Sequence, residues 1–231
     1  MSRIFAMGDL HLSFAPGIEK PMNEFGSVWE DHHKKVKDDW DARITDDDYV
    51  ILAGDISWAL KLSDAIYDLE WIHQRPGKKI IFKGNHDLWW HGITKLNTLF
   101  EDIHFMQNDA VLAGDTVIFG TRGWICQGDS EGSEEDIKIY NREVERLKLS
   151  YSKALKLSGK RTIGVLHYPP TNPQFEDSGF TKIFEHSGAD TVIYGHLHGL
   201  HAYKKGFKGI RNGVNYRLVS YDYLNAKFAQ L

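Results

Sequence analysis

The feature that most constrains this chain is the run at residues 50–55, Val-Ile-Leu-Ala-Gly-Asp. A short, continuous apolar run of this kind predicts a strand that is buried on both faces of a sheet. Asp55 then stands at the carboxyl end of the strand, which is the edge where open α/β sheets bind ligands. We therefore expect a ligand site here, with Asp55 bridging two metal ions.

The same arrangement recurs along the chain, because five strand-like segments each run into side chains that can bind a metal. Residues i and i+2 of an extended segment point the same way, so both members of an Asp-x-His or His-x-His pair can face one ion. Mixed oxygen and imidazole ligands suit Mn, Fe or Zn better than Ca or Mg. The groups at the five strand ends are Asp9 with His11, Asp55, Asn85 with His86, His167, and His196 with His198.

The apolar pattern predicts alternating strands and helices over most of the chain. Strand and helix follow each other at βαβ spacing in the first half, which predicts parallel pairing. We expect the tail, including residues 214–220, to form antiparallel strands that close a second sheet. The polar loop 127–135 is predicted to be the most mobile segment. Helices are predicted over residues 27–43, 62–72, 93–100, 134–157 and 180–186, and strands over 3–9, 50–55, 79–83, 103–106, 110–113, 116–120, 162–166 and 191–194.

Composition disfavours several classes of protein. With 231 residues and no linker-like or repeated segment, the chain is expected to form one domain, residues 1–231. A net charge of −4 gives no electrostatic footprint for nucleic acid or an anionic membrane. The chain lacks both a run of apolar residues long enough to span a membrane and the pattern of a signal peptide. The single cysteine, Cys126, fits a reducing compartment, so a cytoplasmic location is expected.

Taken together, the five motifs resemble those of the calcineurin-like metallophosphoesterases, in the order that this family shows them. The resemblance implies an α/β fold in which two mixed β-sheets pack face to face and are flanked by helices, as a four-layer sandwich. It also implies a pair of divalent ions, Mn first and Fe or Zn as alternatives. One ion would be bound by Asp9, His11, Asp55 and His198, and the other by Asp55, Asn85, His167 and His196.

The activity that this resemblance implies is hydrolysis of phosphomonoesters or phosphodiesters by a hydroxide that bridges the two metals. Asp55 and His86 would be the catalytic residues, with His86 stabilising or protonating the leaving alkoxide. Asn85, His86 and Arg122 are candidate contacts for the phosphate, although a structural ion pair is an equal alternative for Arg122. The expected partner is a phosphorylated small molecule, while the oligomeric state stays open.

Two other functions remain as alternatives at this stage. A nuclease of the same family is disfavoured by the net negative charge of the chain. A non-catalytic interaction protein is disfavoured because every proposed ligand and His86 are present. Protein serine/threonine phosphatases of the family carry an Arg soon after their Gly-Asp motif, whereas Ile56 and Ser57 follow Asp55 here, which disfavours that substrate class.

Four tryptophans near the motifs can either line a substrate pocket or pack the core, namely Trp58, Trp89, Trp90 and Trp124. We expect Trp89 and Trp90 to favour the pocket slightly, because two adjacent large aromatic side chains do not easily both point inward. Histidines outside the motifs, such as His32, His73 and His104, are expected to be ordinary surface or core residues.

Overall fold

Two mixed β-sheets lie face to face at the centre of the computed structural model, which describes residues 2–127 and 133–231. Apolar side chains fill the space between the sheets: Ile51 and Phe82 from one sheet pack with Ile163 and Ile193 from the other. The predicted fold class is therefore confirmed. In chain order the strands are β1 (Ile4–Met7), β2 (Tyr49–Leu52), β3 (Lys78–Phe82), β4 (Ile103–Met106), β5 (Ala110–Ala113), β6 (Thr116–Gly120), β7 (Arg161–Val165), β8 (Thr191–Tyr194), β9 (Gly209–Arg211), β10 (Val214–Leu218) and β11 (Ala229–Gln230).

Parallel pairing dominates both sheets and gathers the carboxyl ends of their strands. The first sheet has the order β11-β1-β2-β3-β4, in which β1 to β4 are parallel and β11 is an antiparallel edge. The second has the order β5-β6-β7-β8-β10-β9, in which β6, β7, β8 and β10 are parallel and the two edge strands are antiparallel. The loops that follow the parallel strands of one sheet therefore leave from one edge.

Helices cover the two outer faces of this sandwich. Val36 and Leu69, from two of them, pack with Val50 and Leu52 against the outer face of the first sheet. Phe180 and Phe184 pack in the same way against the second sheet. The helices are α1 (His32–Arg43), α2 (Leu62–His73), α3 (Ile93–Leu96), α4 (Glu134–Ala154), α5 (Gly179–Ser187) and α6 (Gly199–Tyr203), with two 3₁₀ turns at Met22–Phe25 and Ser27–Trp29.

Alternation along β2 explains the continuous apolar run. Val50 and Leu52 point to the helices, while Ile51 and Ala53 point to the other sheet, and all four are fully buried. Both faces of the strand are covered, so no polar residue interrupts it. In the part of the chain that the structure describes, no helix has both the length and the apolar composition needed to cross a bilayer.

Two expectations about the elements need correction, and a third is not tested. The helix expected over residues 27–43 is broken, because Asp31 has a left-handed backbone (φ 49°) between the Ser27–Trp29 turn and α1. The tail does not form only antiparallel strands that close the second sheet: β10 pairs parallel with β8, and β11 joins the first sheet. Most of the loop expected to be mobile, 127–135, lies outside the described residues, since 128–132 are not described.

Candidate metal centre

The strand ends of the two sheets meet and bring the predicted ligands together. Two groups of side chains lie with their ligand atoms within 4.8 Å of one another in each group. Each group takes residues from both sheets, because residues 9, 11 and 55 follow strands of the first sheet and residues 167, 196 and 198 follow strands of the second. We define the first group as Asp9, His11 and His198, and the second group as Asp55, His167 and His196.

The second group is built around the side-chain oxygen of Asn85. Its Oδ1 atom lies 2.8 Å from Nε2 of His167 and 2.9 Å from Nδ1 of His196. The other ring nitrogen of His167 donates to the backbone carbonyl of Ala53 at 2.9 Å, which fixes the orientation of the ring. Nε2 of His167 also lies 3.4 Å from Oδ2 of Asp55. Asn85, expected as a ligand, thus lies at this group.

Asp55, a member of the second group, also lies close to the first group. Its Oδ2 atom is 3.4 Å from His167 and 3.8 Å from Nε2 of His11, which belongs to the first group. Within the first group, Nε2 of His198 lies 3.6 Å from Oδ1 of Asp9. The carboxylate of Asp55 is therefore near imidazoles of both groups, as the bridging role requires. The bridging itself stays a prediction.

Four of these residues have left-handed backbone conformations, which non-glycine residues adopt rarely. They are strained in the sense that the surrounding structure must hold them there, and such residues concentrate at functional sites. Asp and His tolerate this region better than β-branched residues do. The four φ angles are 63° for Asp9, 46° for His11, 52° for Asp55 and 72° for His196.

Two glycines allow the loops to approach one another closely. A Cβ atom at Gly84 would collide with the backbone nitrogen and the carboxylate of Asp55. A Cβ atom at Gly195 would lie 2.6 Å from Oδ2 of Asp9. The absence of a side chain at these two positions is what lets each carboxylate reach the centre.

The buried carboxylate of Asp87 holds the loop after β2 against the loop after β3. It accepts hydrogen bonds from the backbone N–H groups of Asp55 (2.9 Å), Ile56 (2.9 Å), Ser57 (3.2 Å) and Gly84 (2.7 Å). Burial raises the pKa of Asp87 to about 6, and the nearby charge of Asp55 acts in the same direction. Asp87 directly follows His86 in the sequence, but no sequence pattern indicates that its side chain joins these two loops.

Burial and mutual charge set the pKa values at the centre. Burial lowers the pKa of both His11 and His196 to about 3. Burial opposes protonation of His167 too, but the carboxylates of Asp55 and Asp9 outweigh it and raise its pKa to about 9. The protein alone thus keeps a positive charge between two buried carboxylates. A metal ion bound here would supply that charge in place of the proton.

The donor set fits a pair of divalent cations. Within the described part of the chain, Nδ1 of His11 is buried and has no hydrogen-bond partner. One ring nitrogen of His167 and one of His196 also lie within hydrogen-bond distance of the same oxygen of Asn85. The lone pairs of these three atoms would repel one another unless protons or a cation lie between them. Carboxylate, amide oxygen and imidazole together are ligands that suit Mn, Fe or Zn.

Asp222 is a functional candidate that sequence reasoning missed. Its Oδ1 atom lies 2.9 Å from Nδ1 of His198, and its Oδ2 atom accepts the N–H of Gly199 at 3.0 Å. Histidines that bind metal usually donate their second ring nitrogen to such a partner. Asp222 follows β10, far along the chain from the histidine, and no spacing pattern connects the two.

His86 and Trp58 line the space in front of the two groups. The backbone N–H of His86 donates to Oδ1 of Asp55 at 2.8 Å. Its ring lies 4.4 Å from the ring of Trp58, which in turn stacks on His11 at 4.7 Å. We define the central cavity, of about 170 Å³, by its lining residues His11, Met22, Phe25, Trp29, Asp55, Trp58, His86, His196 and His198.

The tryptophans near the motifs do not divide between the cavity and the core as expected. Trp89 and Trp90 are both buried in the core on the outer side of the first sheet, so the expectation that they favour the pocket is wrong. Their indole N–H groups donate to Asp87 at 3.1 Å and to Gln107 at 3.2 Å. Trp58 lines the central cavity instead. The 3₁₀ turns that add Met22, Phe25 and Trp29 to its lining were not expected.

Arg122 makes the ion pair that was the alternative to phosphate binding. Its Nη2 atom lies 3.3 Å from Oε1 of the fully buried Glu143, and its guanidinium lies over the ring of Trp124 at 4.6 Å. Its backbone carbonyl accepts the N–H of His167 at 2.9 Å, so the residue supports the loop that carries this histidine. A contact with phosphate stays a prediction.

Comparisons with known proteins agree with this geometry. A sequence profile described as calcineurin-like phosphoesterase matches residues 2–200. The chain is 33% identical over 87 residues to the Gene 66 protein of Mycobacterium phage L5, in an alignment that covers 38% of this chain and 41% of that protein. The chain thus matches about two fifths of the length of this curated relative.

Solved structures share the fold at low sequence identity. AQ665 of Aquifex aeolicus, described as a protein of unknown function, gives a TM-score of 0.55 at 13% identity, covering 100% of this chain and 96% of that one. TT1561 of Thermus thermophilus gives 0.51 at 11% identity, covering 85% and 82% of the two chains. At these identities the likeness extends to the fold alone.

Proposed function

The chain belongs to the calcineurin-like phosphoesterase family, and from this premise we propose that it is a phosphohydrolase that uses two divalent cations. The first cation would be held by Asp9, His11 and His198, and the second by His167 and His196 together with Asn85. Asp55 would serve both. The single observation that carries the proposal is the position of Asp55, whose Oδ2 atom lies within 3.8 Å of imidazole nitrogens from both groups.

When bound, the two cations would supply charge that draws in the phosphate and an activated water for attack on phosphorus. In the overall reaction water forms a new P–O bond, the ester P–O bond breaks, and the alcohol leaves with a proton. His86 lines the central cavity and is the titratable residue of this chain proposed to give that proton. The backbone hydrogen bond from His86 to Asp55 ties the position of the imidazole to the metal-binding carboxylate.

Manganese is the cation that we propose first, with iron or zinc as alternatives, because the donors mix carboxylate, amide and imidazole. Monoesters and diesters both remain within the proposal. A cytoplasmic location is part of it as well, on the basis of the single, buried Cys126.

The two rival functions have less support. A nuclease needs a positive surface that follows a phosphate backbone, whereas the net charge of the chain is −4. A non-catalytic interaction protein has no need to keep seven metal-competent side chains and His86 at one centre. The proposal is therefore hydrolysis of a small phosphate ester.

Hydrolysis of p-nitrophenyl phosphate and of bis-p-nitrophenyl phosphate tests the proposal. The purified protein is stripped with a chelator and then loaded separately with Mn²⁺, Zn²⁺ or Fe²⁺. We expect turnover that depends on added metal and is lost when the chelator returns. Absence of turnover on either ester with every cation, in a protein that binds two cations, would favour the interaction role.

A further inference from the structure

A second depression adjoins the central cavity, and two residues line both spaces. Trp58 and His86 line both spaces, so a molecule with its phosphate at the metal centre can extend directly into the second one. This depression has a volume of about 430 Å³, which is large enough for a ring system rather than a methyl group. We define it as the outer groove, lined by Gly17, Ile18, Glu19, Lys20, Trp58, Leu60, Lys61, Asp64, His86 and Leu88.

Large apolar side chains are exposed around this groove. Leu60 is 68% exposed and Leu88 is 61% exposed on its walls, while Phe25, 67% exposed, lies at the central cavity next to it. A set of exposed apolar side chains beside a polar centre is typical of a binding surface. An apolar ligand would remove these side chains from water.

Flat rings form the part of the groove nearest to the metal centre. The indole of Trp58 is held in place by its stack on His11 and by the contact of its Nε1 atom with Sδ of Met22 at 3.2 Å. The imidazole of His86 lies against it at 4.4 Å. Aromatic rings prefer offset stacked or edge-on contacts with other rings, so these walls favour a flat group.

The charges of the groove cancel. Glu19 and Asp64 carry two negative charges, and Lys20 and Lys61 carry two positive ones. The ammonium group of Lys20 also lies over the ring of Trp58 at 5.4 Å, where the ring itself attracts it. The groove therefore has no net positive charge with which to bind a second phosphate or a carboxylate of the substrate.

We infer that the outer groove binds the alcohol portion of the phosphate ester, and that this portion is an uncharged aromatic group. The inference rests on the proposed phosphohydrolase function and narrows its substrate class. Sugar phosphates and polyphosphates lack an apolar group that would cover Leu60 and Leu88. Trp58 is then a residue that determines specificity as well as one that packs against His11.

The test compares kcat/KM for 2-naphthyl phosphate and phenyl phosphate, whose alcohols have similar acidity. We expect the metal-loaded protein to favour the naphthyl ester about tenfold, because the second ring adds apolar contact in the groove. Leu60→Asp and Leu88→Asp place a charge beside that ring, and each should bring the ratio close to one. Both side chains are exposed, so neither change disturbs the core.

Ile210→Asp is the matched control, since Ile210 is also a largely exposed apolar residue (77%) and lies on β9, away from the groove. This variant should keep the preference of the unmodified chain. A ratio near one in the unmodified protein, with both esters hydrolysed, would overturn the inference and leave the phosphohydrolase function standing.

Binding gives a readout that does not depend on turnover. Calorimetry on the metal-loaded protein compares 2-naphthylmethylphosphonate with methylphosphonate, which share the phosphonate group and differ in the ring. We expect the naphthyl compound to bind at least tenfold more tightly, and Leu60→Asp to remove most of this difference. Equal affinities would overturn the inference even if no ester is hydrolysed, whereas failure of all hydrolysis with the affinity difference intact would count against the proposed function alone.

Discussion

Nδ1 of His198 lies 2.9 Å from Oδ1 of Asp222, while Nε2 of the same ring faces Asp9 at 3.6 Å. Burial disfavours protonation of His198, but the carboxylates of Asp9 and Asp222 outweigh it and raise its pKa above the usual value. Asp222 thus fixes which ring nitrogen of His198 faces Asp9, and it would make that nitrogen a stronger ligand for a cation.

Replacing Asp222 with Ala should weaken the cation of the first group about 10- to 100-fold, because His198 loses the partner that orients it. Calorimetric titration with Mn²⁺ would show one weakened site and one unchanged site. Asp222→Asn is the control, since its amide oxygen can still accept from Nδ1 and should restore much of the affinity. Equal loss at both sites would assign Asp222 a general structural role instead.

Replacing Asp55 with Asn should lower the occupancy of both cations, because the one carboxylate charge proposed to bridge them would be lost to both. Metal analysis after gel filtration measures the number of ions per chain. Asp9→Asn is the contrasting variant: Asp9 belongs to the first group, so its loss should affect chiefly one ion. Two ions retained at full affinity by Asp55→Asn would contradict the bridging role.

His86→Gln should reduce kcat about 10²- to 10⁴-fold, which is the usual contribution of a general acid, while metal content stays unchanged. The side chain of His86 lies in neither metal group, and its backbone hydrogen bond to Asp55 does not depend on the imidazole. Steady-state kinetics and metal analysis on one preparation separate the two effects. A normal kcat would remove His86 from the mechanism.

Gly84→Ala should destabilise the protein by several kcal/mol or prevent folding, since its Cβ atom would occupy the space of the Asp55 backbone and carboxylate. Thermal unfolding measures the effect. Gly92→Ala provides the control: among the described residues, no atom outside its chain neighbours comes within 4 Å of a Cβ atom built there. Similar unfolding temperatures for the two variants would show that the loop around Asp55 moves more easily than its packing indicates.

Asp68 should make stability depend on pH. This α2 carboxylate accepts the N–H of Phe14 at 2.8 Å and the hydroxyl of Ser57, and burial raises its pKa to about 6. Because the folded pKa exceeds the unfolded value, the folded state binds the proton more tightly, and its stability rises as pH falls from above 6 towards 4.

Asp68→Asn removes this titration. Relative to the unmodified chain, the variant should therefore lose about 2 to 3 kcal/mol of unfolding free energy between pH 8 and pH 4. Chemical denaturation in the presence of a chelator, at both pH values, measures the difference. A difference that does not change with pH would mean that Asp68 keeps an ordinary pKa.

The strand ends and their metal-competent residues could be predicted because the strands that lead into them, β1, β2, β3, β7 and β8, are largely buried. An apolar run that stops at Gly-Asp, Gly-Asn or Gly-His is visible without any knowledge of pairing. Residues 50–55 and 191–196 are of this kind, and the structure brings their ends together. The order of the motifs then indicated the family, and the match of the family profile to residues 2–200 confirms it.

Other features depend on contacts between distant segments, which leave no periodic trace. Asp222 approaches His198 only because β10 lies beside β8 in the second sheet. Trp89 and Trp90 are both buried because they lie in a loop, where the backbone can turn between them and give each indole N–H its own acceptor. The expectation that two adjacent large aromatic side chains do not easily both point inward therefore fails in this loop.

Because each metal group takes residues from both sheets, the distances within it depend on how the two sheets are aligned. A slip of one sheet along the other by a single ångström would pull apart both sets of donors at once, although every strand would keep its own hydrogen bonds. Cavity-forming substitutions in the layer between the sheets, such as Ile163→Ala, should then cost metal affinity before they cost the fold. Bound cations would act in the opposite direction, because ligands drawn from both sheets would link the sheets and stabilise the folded state.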